Sequence, residues 1–233
     1  MVNHKIVSRQ KWLKARKALL IKEKKFTRAG DQIAQDRQNL PWVKVDQEYV
    51  FNGPNGRETL EQLFGKKSQL IVYHFMFGPK WKDGCPHCSF WADHYDAMLP
   101  HLGARDTSFA VISRASFAEI KPFKKRMGWG FKWVSSNRNN FNYDYNVSFT
   151  SEDIKNKRVF YNYVTGDMPM TDREGISIFF KDKKGDIFHT YSTFARGIEI
   201  VNTTYRFLDL LPKGRDEQGR GQFWVRYHDK YKG

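Results

Sequence analysis

The chain has only two cysteines, and they stand as Cys85-Pro86-His87-Cys88. A separation of three closes too small a loop to stabilise a fold much, so the pair is there for reactivity or for a metal. At the start of a helix, Cys85 meets unpaired backbone N–H groups and the positive end of the helix dipole, and both favour its thiolate. Cysteines in such motifs ionise at about 3.5–7.5 instead of about 8.5, which makes Cys85 the nucleophile. Cys88, three positions on and facing the core, is the resolving thiol. A protonated His87 adds a cation and a hydrogen bond beside the Cys85 thiolate and favours the reduced form. Each ~1.4 kcal/mol of that preference raises the reduction potential by about 30 mV, so the pair should be more oxidising than one with a neutral spacer. The chemistry expected is dithiol–disulfide exchange with a protein or small-molecule partner. The redox group is the Cys85–Cys88 disulfide itself, so neither a dissociable cofactor nor a metal is expected.

The elements that must hold this pair lie on either side of it. Residues 70–77 form a nearly continuous apolar run of strand length, suited to a central strand covered on both faces. Pro86 fits the first position of a helix over residues 85–99, because its missing N–H would be unpaired there anyway. A strand at 107–112 and a helix at 116–127 follow, which implies a parallel strand pair. Residues 176–180 and 187–191 alternate like a hairpin around Lys183-Lys184-Gly185, and a helix over 198–211 ends at Pro212. Upstream, residues 43–51 read as a strand turned back by Asn52-Gly53-Pro54-Asn55-Gly56, with Thr59 capping a short helical turn over 60–64. The order is strand, Cys-bearing helix, strand, helix, crossover, hairpin, helix, which is the thioredoxin arrangement: an α/β fold with a central mixed sheet flanked by helices.

The 233 residues supply enough for one domain with attachments, and the 40% apolar fraction, with 16% aromatic residues, is enough to fold it despite its charge. The domain should span 41–212, with 129–173 as an insertion containing a short strand near 160–164 and with 213–233 as an extended tail pinned by Phe223-Trp224-Val225. Charges run through the first thirty positions, and no apolar stretch of about 18 residues occurs, so a cytoplasmic protein without membrane contact is expected. Much of the net charge of +15 lies in residues 1–40, at Lys11, Lys14, Arg16, Lys17, Lys22, Lys24, Lys25 and Arg28. This arm reads as a helix capped by Ser8, packed on the domain by Trp12, Leu13, Leu19, Leu20, Phe26 and Ile33, with a solvated basic face. A homodimer contact is an alternative use of it.

The segment His74-Phe75-Met76-Phe77-Gly78-Pro79 through Trp81, followed by Gly84-Cys85-Pro86-His87-Cys88-Ser89-Phe90-Trp91-Ala92-Asp93-His94, resembles a largely bacterial thioredoxin-like family, domain of unknown function 899. Leu40-Pro41-Trp42-Val43, Arg126-Met127-Gly128-Trp129 and Trp133-Val134-Ser135-Ser136 extend the resemblance over most of the chain. It implies a dithiol–disulfide oxidoreductase with Cys85 as nucleophile and Cys88 as resolving thiol, and a thioredoxin-reductase-type reductant is an expectation alongside it. Thioredoxins line their substrate groove with a cis-proline just before the hairpin; here Gly175-Ile176-Ser177 occupies that stretch. Pro86, Trp81 and Ser177 are the candidate substrate contacts. The central strand offers Tyr73 or His74 where thioredoxins bury a carboxylate. The peroxiredoxin pattern, with Thr three residues before the reactive Cys, is absent because Lys82 stands there.

Two other functions use the same residues. Zinc held by both cysteines and a histidine is one, drawing on His87, His94 or His101, although a structural site usually needs four ligands. A nucleic-acid surface built from the basic arm and Phe141-Asn142-Tyr143-Asp144-Tyr145 is the other, although alternating aromatics more often fill a core.

Overall fold

The computed structural model describes residues 4–232. In chain order its helices and strands are α1 (Arg9–Gln38), β1 (Val43–Lys44), β2 (Val50–Gly53), β3 (Gly56–Thr59), α2 (Leu60–Leu63), β4 (Gln69–His74), α3 (Pro86–Ala92), α4 (Leu99–Ala104), β5 (Thr107–Ser113) and α5 (Phe117–Arg126). The second half contains β6 (Lys132–Ser135), α6 (Phe141–Asp144), α7 (Ser151–Lys155), β7 (Val159–Tyr161), β8 (Val164–Gly166), β9 (Gly175–Lys181), β10 (Ile187–Phe194) and α8 (Thr203–Leu208).

The main sheet has eight strands in the order β1-β10-β9-β4-β5-β6-β2-β3. Its centre is β4, parallel to β5 and antiparallel to β9. Alternation along β4 sends Leu70 and Val72 into one layer, with Phe51, Leu63 and Phe179, and Tyr73 into the other, with Cys88, Phe123 and Trp133. Both faces are therefore apolar. The short-range stop and start signals hold: Ser116 and Glu119 form a capping box at α5, and Thr59 and Gln62 form one at α2.

Several longer expectations change. The strand expected at 43–51 is two strands on opposite sides of the sheet, β1 at one edge and β2 next to the other, divided by the polar run Asp46-Gln47-Glu48. The helix expected to reach residue 99 stops at Ala92. Beyond it, Asp96 accepts the backbone N–H groups of Gly130 and Phe131, each at 2.7 Å, and Asp93 accepts Trp129 Nε1–H at 2.8 Å. These bonds pull the chain off the helical path, and Pro100 opens α4 instead of ending α3, since proline is tolerated in a first turn. The stretch 129–173 divides as well, because β6 pairs with β5 and puts Trp133 in the core. The helix expected over 198–211 breaks at Asn202, whose side chain accepts Tyr205 N–H and starts α8.

The arm is a single 30-residue helix, α1, capped by Ser8 as expected, but none of its residues is buried. Trp12, Leu19, Phe26 and Ile33 stay exposed, and the basic helix meets the sheet at Arg37, whose guanidinium lies 5.4 Å from the Tyr191 ring centre. Arg16 and Glu23, paired at 2.8 Å, interrupt the apolar line at helical spacing, which leaves no continuous stripe for the domain to bury. No helix of the described residues is long and apolar enough to cross a membrane.

Candidate active site: a dithiol at a helix start

β4 delivers the chain to the site. Past His74 the backbone continues alongside β5, with Phe75 N–H donating to Ile112 C=O at 3.0 Å and Ala115 N–H to Phe77 C=O at 2.7 Å. The chain then loops back, so that Cys85 N–H donates to Met76 C=O at 2.9 Å. Gly84 makes that return close. A Cβ at this position would lie 2.6 Å from Phe75 Cε1 and 2.9 Å from Phe123 Cε1, both atoms of packed rings. Gly84→Ala is expected to cost about 1–3 kcal/mol as an overpacking change and to slow alkylation of Cys85 by displacing it. Urea denaturation and iodoacetamide kinetics on the same variant check both parts.

Cys85 is the N-cap of α3, with Pro86 at the first helical position. The thiol makes no formed cap bond to the first turn, yet the Cys88 backbone N–H is among the groups that lower its pKa. The largest of these is a hydrogen bond from the Cys88 thiol, and His87 adds a hydrogen bond and a positive charge. Together they outweigh burial, which acts the other way, and hold Cys85 well below the ordinary thiol range. Cys88 is 2% exposed, and burial pushes its thiol up, as does the neighbouring Cys85. Its sulfur accepts Met76 N–H at 3.4 Å. One thiol is thus poised to ionise and the other to stay protonated, which is the division of labour that exchange chemistry needs.

His87 is raised above the ordinary imidazole value, chiefly by its hydrogen bond to Cys85. Its Nε2–H donates to the Gln222 carbonyl at 3.3 Å, and an imidazolium satisfies both acceptors at once. Gln222 belongs to the C-terminal tail, which crosses the start of α3. Tyr227 Oη–H donates to Gly84 C=O at 2.6 Å, Val225 is buried, and Trp224 packs edge-on to Phe90. Val225 and Trp224 thus pin the tail while Phe223 stays exposed, and the tail runs as a series of turns with a 3₁₀ turn at His228–Lys230 instead of the extended path expected.

A cavity of about 440 Å³ opens beside the two sulfurs, lined also by Tyr73, Met76, Trp91 and Gln222. Of the expected substrate contacts, Pro86, within the motif, lines a neighbouring depression with Val225 and not the cavity itself. Trp81 does not line the cavity; its ring covers Gly78, where a Cβ would meet Trp81 Nε1 at 2.8 Å and Asp172 Oδ2 at 3.1 Å. Ser177 lies on the opposite face of the sheet. It pairs with Val72 in register and hydrogen-bonds His74 Nε2 and Ser192 Oγ, each at 2.8 Å. A strand turns successive side chains to opposite faces, so Ile176, not Ser177, joins the cysteine layer.

Arg173 and Glu174, just ahead of β9, occupy the cavity wall where a groove residue was sought, and they were not singled out in the sequence. The signal that could have found them is a charged pair immediately before the first hairpin strand. His74 shares Ser177's face and its pKa is pushed down to about 3 by burial, so of the two proton-handling candidates only Tyr73 faces the cysteines. Among the described residues no group of three or more His, Cys, Asp and Glu is placed to hold a metal ion. His94 instead pairs with Thr204 Oγ1 at 2.7 Å. Phe141 is fully buried against Tyr49 and Phe51, so the aromatic run 141–145 anchors a core instead of a stacking surface.

Fold and site together define an α/β protein of the thioredoxin-like class, with a Cys-Pro-His-Cys segment at the start of the helix that follows its central strand. The chain belongs to the family described as bacterial protein of unknown function (DUF899), which matches residues 1–231. No curated protein matches it in sequence. Among solved structures it is similar to the peroxidoxin BcpB from Mycobacterium tuberculosis, at 11% identity over 72% of this chain and 97% of that one, with a TM-score of 0.47. It is also similar to a PrxQ variant from Xylella fastidiosa, at 14% identity over 71% and 95%, TM-score 0.45. A third is peroxiredoxin Q from Xanthomonas campestris, at 16% over 66% and 85%, TM-score 0.46. Each is a likeness of chain path at low identity.

Proposed function

We propose that the protein is a thiol–disulfide oxidoreductase working through Cys85 and Cys88. The observation that carries this reading is the opposed environment of the two thiols: Cys85 is half-buried at a cavity and held toward its thiolate, while Cys88 is buried and held as the thiol. In the reducing direction the Cys85 thiolate attacks one sulfur of a substrate disulfide, the substrate S–S bond breaks, and a thiolate leaves and takes up a proton. Cys88 then gives up its proton and attacks Cys85, releasing the second substrate thiol and closing the Cys85–Cys88 disulfide. Two electrons pass from protein to substrate, and the reverse sequence oxidises a dithiol. A thioredoxin-reductase-type flavoprotein is the reductant proposed for the cycle.

Equilibrating the protein in glutathione or dithiothreitol buffers and trapping free thiols at each poise tests this reading. A reversible two-electron transition between about −270 and −120 mV is expected, toward the oxidising end because His87 stabilises the reduced form. Thiols that never bridge at any poise, or that bridge only after chelation removes a metal, would end it.

A further inference from the structure

The cavity beside the two sulfurs carries more fixed charge than disulfide exchange itself requires. Arg173 and Glu174 stand on one wall, and Arg196 and Glu199, from the 3₁₀ turn after β10, line the same space. The Arg173 guanidinium lies 5.0 Å from the Tyr161 ring centre, and its Nε atom is buried with no hydrogen-bond partner. The Glu174 carboxylate, at 3.8 Å from that nitrogen, is too far to accept from it. Glu174 therefore makes no hydrogen bond to Arg173, and the arginine side chain, 26% exposed at the cavity wall, presents its guanidinium to an acceptor brought in by a ligand. Glu199 sits opposite in sign, between Arg196 and Arg215 at 3.1 Å each.

The size and walls of the site narrow the ligand further. The volume of about 440 Å³ lies within the range of about 300–1,000 Å³ typical of small-molecule sites. The tail crosses one side of the motif, where Gln222 covers His87 and Tyr227 holds Gly84. The tail thus covers that side of the motif.

Given the thiol–disulfide reading of Cys85 and Cys88, on which this rests, we propose that the disulfide taken is that of a small amino-acid or short-peptide thiol. Its α-carboxylate meets Arg173 and its α-ammonium meets Glu199, which brings the S–S bond to Cys85. The exchange then balances as above, giving two molecules of the small thiol for each protein disulfide formed.

The full-length Cys88→Ser variant holds the first adduct, so its formation on Cys85 can be timed by intact mass. The probes are cystine and oxidised glutathione, which carry both charges, then cystamine with ammonium only, 3,3′-dithiodipropionate with carboxylate only, and insulin as a protein disulfide. Dividing each rate by that probe's rate with 2-mercaptoethanol removes intrinsic reactivity. Cystine or oxidised glutathione should exceed both single-charge probes by about tenfold, and which of the two is faster separates an amino acid from a short peptide. Arg173→Gln on the same background should reduce the preference to about threefold or less. Near 1 M salt, where the screening length is about 3 Å, the preference should shrink without any substitution. Equal normalised rates for all charge types, or insulin fastest, would overturn the inference and leave the oxidoreductase reading standing. No adduct with any probe would overturn both.

Discussion

Replacing Cys85 by serine is expected to lower disulfide exchange by about a thousandfold or more, corresponding to about 4 kcal/mol of barrier. The hydroxyl stays protonated at neutral pH, so neither the helix start nor His87 has an anion to stabilise. Cys88→Ser should behave differently: the first attack survives, and the mixed disulfide accumulates on Cys85, visible as an intact-mass increase. Full turnover in either variant would sink the assignment of roles. The pH dependence follows from the directions of the two shifts. Cys85 ionises below the ordinary thiol value, so iodoacetamide alkylation should reach half its maximal rate at a pH below that of a free thiol. His87→Ala removes a stabilising partner of that thiolate, so the midpoint should move up.

Linkage gives the sign for the stability of the reduced protein. A depressed Cys85 pKa contributes stability that is present above the unfolded thiol value of about 8.5 and is lost as pH falls through the folded value. A raised His87 pKa contributes stability present in full below about 6.5 and lost as pH rises through its folded value. The two shifts together widen the pH range over which the thiolate–imidazolium pair is populated. His87→Ala should flatten the pH dependence of the reduced protein's urea midpoint in that window and leave the oxidised protein's profile little changed.

The second large effect is expected at an ion pair outside the dithiol. Arg114, just past β5, donates Nε–H to Asp172 Oδ1 at 2.8 Å and an Nη2–H to Asp172 Oδ2 at 2.7 Å. Asp172 is 3% exposed and also accepts from the hydroxyls of Ser148 and Thr171. Arg114→Ala leaves that carboxylate buried without its cation, which is expected to cost about 3–5 kcal/mol in urea denaturation. Arg114→Lys keeps the charge but loses the bidentate fork, and should recover part of the loss. Because Asp172 directly precedes Arg173 and Glu174, the same break should loosen one wall of the cysteine cavity and change the alkylation rate of Cys85. A change below about 1 kcal/mol would show that the pair does not anchor this segment.

What the sequence by itself determined lies within a few residues of its signal. Cys85 and Pro86 mark the start of α3, Ser116 and Glu119 that of α5, and Lys183-Lys184-Gly185 the turn between β9 and β10, because caps and tight turns are closed by neighbours no more than four positions away. The apolar run at 70–77 announced a central strand because burial on both faces leaves no polar alternation. Contacts distant in the chain were decided only by the tertiary structure. α3 stops at Ala92 because Asp93 and Asp96 are drawn to residues more than thirty positions on. β6 joins the sheet although its flanks look irregular, and α1 buries none of its residues although it carries Trp12, Leu19 and Phe26. The site divides in the same way. The thiol pair and its histidine were legible from their spacing, but the cavity wall was not. The register of β9 turns Ser177 to the far face, and the pairing of Asp172 with Arg114 sets Arg173 and Glu174 beside the sulfurs. The tail brings Gln222 to His87 from 135 residues away. Such partners leave no local periodicity or cap, because the free energy that brings them together comes from burial of the whole layer rather than from the segments themselves.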